Sequence, residues 1–209
     1  MMKYKHIVFD VDGTLLDTEF AVLHSLQDTL SHYLNECIPL DKLRFALGIP
    51  GEVTLLKFGI EDVNGAGMFW NAKMKEYLLH IKLFDGITEM LESLHEKGLK
   101  LGIVTSKTRE EFETDFVPYG VGQYFDSIIC VEDSTKPKPY PDPLFAYFGR
   151  NGVSADEVIY IGDTDYDSQC ARTAGVDFGL ALWGCRNPED IECKYKFADP
   201  SIILDEYER

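Results

Sequence analysis

The stretch His6-Ile7-Val8-Phe9-Asp10-Val11-Asp12-Gly13-Thr14 decides the fold. Its apolar run, residues 6–9, is typical of a strand covered on both faces, and two carboxylates and a glycine follow closely. Further short apolar runs lie at residues 101–105, 127–131, 158–161 and 178–183. Stretches with helical spacing lie at residues 86–97, 108–117, 142–151 and 165–174. This alternation predicts an α/β fold, a Rossmann-like parallel sheet with helices on both faces.

The interval between Asp17 and Asp85 breaks the alternation, because it contains no convincing strand. Helical periodicity occurs instead at residues 21–34, 41–47, 53–58 and 68–79. We therefore expect a small all-helical cap domain, residues 17–84, inserted after the first strand. Residues 1–16 and 85–209 would then form the α/β core domain. Residues 48–51 predict an exposed turn between two cap helices.

Composition and charge exclude several classes of partner. The chain has 20 Lys and Arg against 36 Asp and Glu, a net charge of −16 that repels nucleic acid and anionic lipid. We therefore expect no nucleic-acid partner and no membrane partner. The five cysteines form no Cys-x-x-Cys pair, and the first apolar run meets Asp10 too early for a signal peptide. These features predict a cytoplasmic protein with reduced thiols, and they leave its oligomeric state open.

Carboxylates follow two of the predicted strands. Asp10 and Asp12 come after the first strand, and Asp163 comes after the strand at 158–161. Because the carboxyl ends of parallel strands form the ligand-binding edge of an open sheet, we expect these groups to converge. Converging carboxylates repel one another unless a divalent cation binds them, and oxygen ligands without His or Cys favour Mg²⁺. Magnesium in turn suggests a phosphate ligand.

Phosphate-binding groups are expected at the same edge of the sheet. The hydroxyl of Thr105 and the backbone N–H groups around Ser106, at a predicted helix N-terminus, can donate hydrogen bonds to phosphate oxygens. Lys138, in the proline-rich tract 136–143, would place a compact positive charge against the transferring group.

Four segments, in this order, resemble the motifs of the haloacid dehalogenase superfamily. They are Asp10-Val11-Asp12-Gly13-Thr14, Thr105, Lys138 in Lys-Pro-Tyr-Pro-Asp-Pro, and Gly162-Asp163-Thr164-x-x-Asp167. The likeness extends from Ile7 to about Gly184, and it is greatest to phosphoglycolate phosphatase-like members with a helical cap. Lys136 is an alternative to Lys138. We favour Lys138, because the resembling pattern runs Lys-Pro-x-Pro-x-Pro.

The resemblance implies a Mg²⁺-dependent phosphatase that hydrolyses a small phosphomonoester through an aspartyl-phosphate. Asp10 would be the nucleophile, and Asp12 the general acid and then the base that activates water. The metal ligands would be a carboxylate oxygen of Asp10, the backbone carbonyl of Asp12 and the side chain of Asp163. Asp167 would orient this set of ligands. The residues that would hold the phosphoryl group are Thr105, Ser106 and Lys138.

Three other functions have different sequence requirements. Carbon–halogen chemistry needs neither a metal nor a second aspartate, so Asp12 argues against it. A hexose-phosphate mutase resembles this chain in the core, but such mutases carry a histidine at the place of Val22 and an arginine at the place of Gly51. Lys73 could match a cap lysine of those mutases. A non-catalytic phosphate-binding regulatory protein would have lost a motif residue, and none is lost. We therefore favour hydrolysis.

The substrate and the cap motion are further expectations. The partner is a small phosphorylated metabolite, and phosphoglycolate, a sugar phosphate, a nucleotide and pyrophosphate all stay open. We expect the loop at residues 48–52 to contribute to specificity. Hinges near residues 14–18 and 83–86 would let the cap close over the substrate and exclude bulk water.

Overall fold

The computed structural model describes residues 4–208; residues 1–3 and 209, which belong to the expected core domain, lie outside the described residues. Short 3₁₀ turns connect several of the regular elements. In chain order these elements are β1 (His6–Phe9), β2 (Leu16–Asp17), α1 (Glu19–Leu34), α2 (Leu40–Leu43), α3 (Gly51–Lys57), α4 (Val63–Glu76), β3 (Lys82–Leu83), α5 (Ile87–Glu96), β4 (Lys100–Val104), α6 (Arg109–Asp115), β5 (Ser127–Ile129), α7 (Asp142–Asn151), β6 (Val158–Gly162), α8 (Asp165–Ala174), β7 (Asp177–Ala181), β8 (Tyr195–Phe197) and α9 (Ser201–Glu208).

One six-stranded sheet carries the fold, with strand order β5-β4-β1-β6-β7-β8. All its pairings are parallel. Strand β1 lies between β4 and β6, and its His6 is opposite Lys100 on one side and Val158 on the other. The predicted α/β fold with a parallel sheet is therefore confirmed.

The apolar run of β1 is continuous because both faces of the sheet are covered. Ile7 and Phe9 point into one core cluster, which helices α5 and α9 also line. Val8 points into a second cluster on the opposite face, with side chains from α7 and α8. Successive side chains of a strand alternate between faces, so Ile7, Val8 and Phe9 are all apolar although they point to opposite faces of the sheet.

The elements between β2 and β3 are helical, as the sequence predicts. Helix α1 packs against α4, and a third apolar cluster lies between the helices of this insert. Helix α4 begins at Val63, five residues before the predicted stretch, where Asp62 accepts a 2.9 Å hydrogen bond from the N–H of Gly65. The boundaries at residues 17 and 84 stay a prediction. None of the helices in residues 4–208 combines the length and the apolar character needed to cross a bilayer.

Three details of the sequence interpretation were wrong. The turn at residues 48–51 is not exposed, because Ile49 is buried and the other three residues are half-buried. A strand does occur between Asp17 and Asp85, because β3 pairs antiparallel with β2 and places Leu83 opposite Leu16. Each of these strands has two residues, too few to show an alternating pattern. The run at 178–183 is a strand only as far as Ala181 and continues as a turn. Strand β8 and helix α9 were not predicted.

Candidate active site

Three neighbouring strands deliver the candidate residues to one edge of the sheet. Asp10 directly follows β1, and its N–H donates to the carbonyl of Ile161 in β6. Thr105 directly follows β4, and Asp163 directly follows β6. Because β4, β1 and β6 are adjacent and parallel, their carboxyl ends bring these side chains together, as the sequence predicts.

Buried carboxylates form the centre of the site. Asp10, Asp163 and Asp167 each offer one oxygen, and these oxygens lie within 4.8 Å of one another. Burial raises the pKa of Asp10 to about 7, although the ammonium of Lys138 opposes the shift. Burial, and then the charges of Asp167 and Asp10, raise the pKa of Asp163 well above its ordinary value. The cluster therefore favours a bound cation.

One oxygen of this cluster has no protein partner. Oδ1 of Asp10 is buried and accepts no hydrogen bond from the described residues. A buried carboxylate oxygen without a donor is costly, and a cation would remove that cost. The donors at this point are all oxygens, which suits Mg²⁺ rather than zinc. The residues present therefore fit a magnesium ion.

Asp163 is held in place by the loop after β1. The hydroxyl of Thr14 donates a 2.9 Å hydrogen bond to Oδ1 of Asp163. Gly13 has a φ of +78°, and a side chain there would overlap the carboxylate of Asp163. Only a glycine gives the loop this conformation while it passes so close to a carboxylate. The glycine of the Asp-x-Asp-Gly stretch thus makes room for the candidate metal ligand.

Asp167 is occupied by the protein itself. Its Oδ1 accepts hydrogen bonds from Lys138 at 2.6 Å and from the hydroxyl of Tyr160 at 2.9 Å. Its Oδ2 accepts from the backbone N–H of Thr164 at 3.0 Å and from the Thr164 hydroxyl at 2.5 Å, an arrangement that also caps helix α8. Both oxygens of Asp167 are engaged, so it orients its neighbours more readily than it binds a metal.

Lys138 lies beside the candidate nucleophile. Its Nζ is 2.9 Å from Oδ2 of Asp10, and its side chain is almost completely buried. Burial lowers the pKa of the Lys138 ammonium, but the carboxylates of Asp10 and Asp167 more than reverse this and raise the pKa above its usual value. Lys136, the alternative, is exposed, and its Nζ lies 4.6 Å from the centre of the Tyr140 ring. The structure places Lys138, and not Lys136, at the carboxylate cluster.

Lys107 is a residue of the site to which the sequence interpretation gave no role. Its Nζ lies 3.1 Å from Oδ1 of Asp12 and 2.9 Å from Oδ2 of Asp115. The side chain of Asp12 therefore faces Lys107 and is outside the cluster around Asp163. The position of Lys107 at the end of a predicted strand, two residues after Thr105, was the available signal.

The two predicted phosphate-binding hydroxyls have different surroundings. Thr105 is buried, and its Oγ1 accepts a 3.2 Å hydrogen bond from the N–H of Lys107. The hydroxyl of Ser106 donates across to the helical insert, to the carbonyl of Gly48 at 3.3 Å. Ser106 thus joins core and insert beside the cavity.

A cavity of about 100 Å³ lies between the core and the helical insert. Asp10, Asp12, Ser106 and Lys107 line it on the core side. The insert contributes mainly apolar side chains, namely Val22, Leu47, Ile49, Trp70 and Met74. A second cleft of about 120 Å³ lies beside Asp163 and also reaches Asp12 and Gly48. A cavity of this size admits a small ligand.

Comparison with known proteins identifies a family and several relatives of this chain. A family model described as haloacid dehalogenase-like hydrolase matches residues 7–181. A phosphoglycolate phosphatase of Xanthomonas campestris pv. campestris is 32% identical over 192 residues, 88% of this chain and 86% of the relative. The pyrophosphatase PpaX of Bacillus velezensis is 28% identical over 188 residues, 88% of this chain and 86% of the relative. A crystal structure from Lactobacillus plantarum, provisionally named a phosphoglycolate phosphatase, has a TM-score of 0.89 at 30% identity and covers 98% of this chain and 99% of its own.

The chain belongs to the haloacid dehalogenase-like hydrolase family, because that family's model spans most of its length. Within the family it groups with the phosphatases, to which its curated relatives belong. The resemblance noted from the sequence motifs is therefore confirmed.

Proposed function

We propose that the chain hydrolyses a small phosphomonoester, phosphoglycolate-like or a sugar phosphate, through an aspartyl-phosphate on Asp10. The observation that carries this proposal is the pairing and the placement of the Asp10 carboxylate at the end of β1. Its Oδ2 is paired with Lys138 at 2.9 Å, whereas its Oδ1 is without a hydrogen-bond partner among the described residues. Asp10 also lines the cavity. Lys138 thus neutralises and orients a carboxylate at the wall of the cavity, as a nucleophile toward a phosphoryl group requires.

The reaction has two steps. In the first, a carboxylate oxygen of Asp10 attacks phosphorus, the bond from phosphorus to the leaving oxygen breaks, and Asp12 gives its proton to that oxygen. In the second, Asp12 takes a proton from water, which attacks phosphorus, and the Asp10 carboxylate leaves as inorganic phosphate forms. Lys138, Thr105 and the N–H groups near Ser106 hold the phosphoryl oxygens through both steps.

Mg²⁺ fits this proposal as the cofactor. The carboxylate of Asp10, the backbone carbonyl of Asp12 and the side chain of Asp163 would hold it, and Asp167 would orient this set. When bound, the ion supplies positive charge that offsets the repulsion between the carboxylates and the phosphate. The carboxylate cluster and its unpartnered oxygen support this assignment.

The cavity favours hydrolysis over the mutase alternative. Val22 and Gly51, the places where the mutases carry a histidine and an arginine, both line the cavity. Neither residue can hold or move a proton there. A mutase needs to return the phosphoryl group to a bound sugar, whereas a hydrolase passes it to water.

Several further features belong to the same proposal. The partner is a small metabolite, the cap spans residues 17–84, and the cap moves on hinges at 14–18 and 83–86, where β2 and β3 lie. A change in hydrogen–deuterium exchange of these two segments on addition of a phosphate analogue is expected, and no change would contradict the hinge assignment. Five unpaired cysteines support a cytoplasmic location.

The test is release of inorganic phosphate from a panel of phosphorylated metabolites in the presence of Mg²⁺. We expect kcat/KM to be highest for a small monoester, and the Asp10→Asn variant to lose turnover by at least about 10³-fold. Asp165→Asn is the control, because Asp165 is an exposed carboxylate outside the cluster formed by Asp10, Asp163 and Asp167. Preference for pyrophosphate would overturn the monoester assignment, and sugar phosphate isomerised without phosphate release would indicate a mutase.

A further inference from the structure

Two buried lysines divide the catalytic carboxylates between them. Lys138 pairs with Asp10 at 2.9 Å, and Lys107 pairs with Asp12 at 3.1 Å. Lys107 is 7% exposed, and its second partner, Asp115, is 6% exposed. An ammonium is rarely buried to this extent unless it is paired. The function proposed above uses Lys138 and leaves Lys107 without a role.

The backbone of Lys107 is fixed on both sides. Its N–H donates to Oγ1 of Thr105 at 3.2 Å, and its carbonyl accepts from the N–H of Val131 at 3.0 Å. Its ammonium is fixed by Asp115, the last residue of helix α6. Helix α6 is itself capped by Thr108 and Glu111. Lys107 is therefore held in a fixed position between Thr105 and helix α6.

Asp12, in contrast, has little else to orient its side chain. Its Oδ1 is buried and makes no hydrogen bond of good geometry among the described residues, so its ion pair with Lys107 is the contact that directs it. The carboxyl of Asp12 lines the cavity together with Lys107 and Asp115. A general acid must lie within hydrogen-bond distance of the atom that it protonates, so its direction matters as much as its presence.

We propose that Lys107 is a positioning residue for Asp12: it holds the carboxyl group at the leaving-group side of the cavity, and Asp115 holds Lys107. This inference rests on the function proposed above. Burial lowers the pKa of Lys107, but the carboxylates of Asp12 and Asp115 more than reverse the shift, so the ammonium stays charged in this role. Lys107 acts through Asp12 and transfers no proton itself.

The test compares two leaving groups in a single turnover with enzyme in excess. The oxygen of p-nitrophenyl phosphate leaves with little help from an acid, whereas an alkyl phosphate from the panel needs its leaving oxygen protonated. In Lys107→Met we expect the first turnover of the alkyl phosphate to slow by about 10²-fold and that of p-nitrophenyl phosphate by less than about threefold. Because water activation also needs Asp12, a second experiment with p-nitrophenyl phosphate in excess over Lys107→Met should show a burst of p-nitrophenolate before a slow steady state.

Controls separate this role from a structural one. Lys136→Met removes an exposed lysine and should leave both first-turnover rates unchanged. Asp115→Asn frees Lys107 on one side while keeping the shape of the side chain, and it should lower the ratio of alkyl to aryl rates by at least about threefold. This second variant decides the matter if Lys107→Met does not fold.

Two results would overturn the inference. Equal slowing of the two esters in Lys107→Met would show that Lys107 has only a structural role. An unchanged ratio of alkyl to aryl rates in both Lys107→Met and Asp115→Asn would show that Lys107 does not position Asp12. A wild-type protein that is active but insensitive to Asp10→Asn would instead overturn the proposed function.

Discussion

Nζ of Lys138 lies 2.6 Å from Oδ1 of Asp167, and the two side chains are among the most buried of the chain. Lys138 thus engages one oxygen of Asp167. Its other oxygen is engaged by Thr164 at the start of α8. Asp163, in contrast, has one oxygen bonded to Thr14 and the other without a hydrogen bond in the described part of the chain.

The first prediction compares Asp163→Asn with Asp167→Asn. Loss of a ligand carboxylate at Asp163 should raise the Mg²⁺ concentration at half-maximal activity by at least about tenfold. Asp167→Asn should lower kcat by about 10-fold to 100-fold, because Lys138 loses its anchor, with a smaller change in the Mg²⁺ requirement. Titration of activity with Mg²⁺ measures both. An equal shift in the two variants would make Asp167 a metal ligand.

The second prediction concerns the two lysines of the proline-rich tract. Lys138→Gln should lower kcat/KM by at least about 10²-fold, because Asp10 then lacks its cation and the phosphoryl group lacks its counter-charge. Lys136→Gln, two residues away and exposed, should change kcat/KM by less than about twofold. Steady-state kinetics on the preferred substrate are sufficient. A large effect of Lys136→Gln would indicate that Lys136, and not Lys138, is the catalytic lysine.

The sequence could predict those parts of the site that depend on strand ends. Asp10, Thr105 and Asp163 each directly follow a strand whose end can be read from the sequence. They converge because the carboxyl ends of parallel strands lie at the same edge of the sheet. Lys107 also follows a strand end, but its ammonium is held by Asp115. Nothing in the sequence around Asp115 indicates that its carboxylate is buried at the end of a packed helix. Tyr160 was hidden within an apolar run, although its hydroxyl bonds to Asp167.

The parts of the fold that escaped prediction share a physical cause. Strands β2, β3 and β8 have two or three residues each, so they owe their extended form to a neighbouring strand and not to their own pattern. The start of α4 contains Gly65 and Gly67, which weaken the helical signal. The N-cap at Asp62 and the packing of α4 against α1 stabilise that turn.

The third prediction tests the close passage of Gly13 beside Asp163. Gly13→Ala should lower kcat/KM by at least about 10²-fold, because the added methyl group displaces the carboxylate of Asp163. Gly120→Ala is the matched control: its φ is +73°, close to the +78° of Gly13, but no atom lies within 4 Å of the added carbon. Both variants should lose similar stability from backbone strain, measured by urea unfolding. Only Gly13→Ala should lose activity, and equal activity losses would attribute the effect to strain.

The fourth prediction is a pH dependence of stability that depends on His6 in the central strand. His6 is buried and its Nδ1 lies 2.9 Å from the hydroxyl of Tyr147. Burial lowers the pKa of His6 in the folded state. The unfolded chain then binds a proton at a higher pH than the folded protein does. His6 therefore contributes stability above an unfolded-state pKa of about 6.5, and this stability is lost as the pH falls.

Urea unfolding of the wild type and of His6→Gln at pH 7.5 and at pH 5 measures this contribution. We expect the free energy of unfolding to fall more steeply with decreasing pH in the wild type, since His6→Gln removes the group that titrates. Contributions from the other histidines and carboxylates cancel in the comparison. Tyr147→Phe is the control, because it keeps His6 buried and should keep the wild-type slope. If the free energy of unfolding changed with pH equally in the wild type and in His6→Gln, His6 would have the same pKa in the folded and unfolded states.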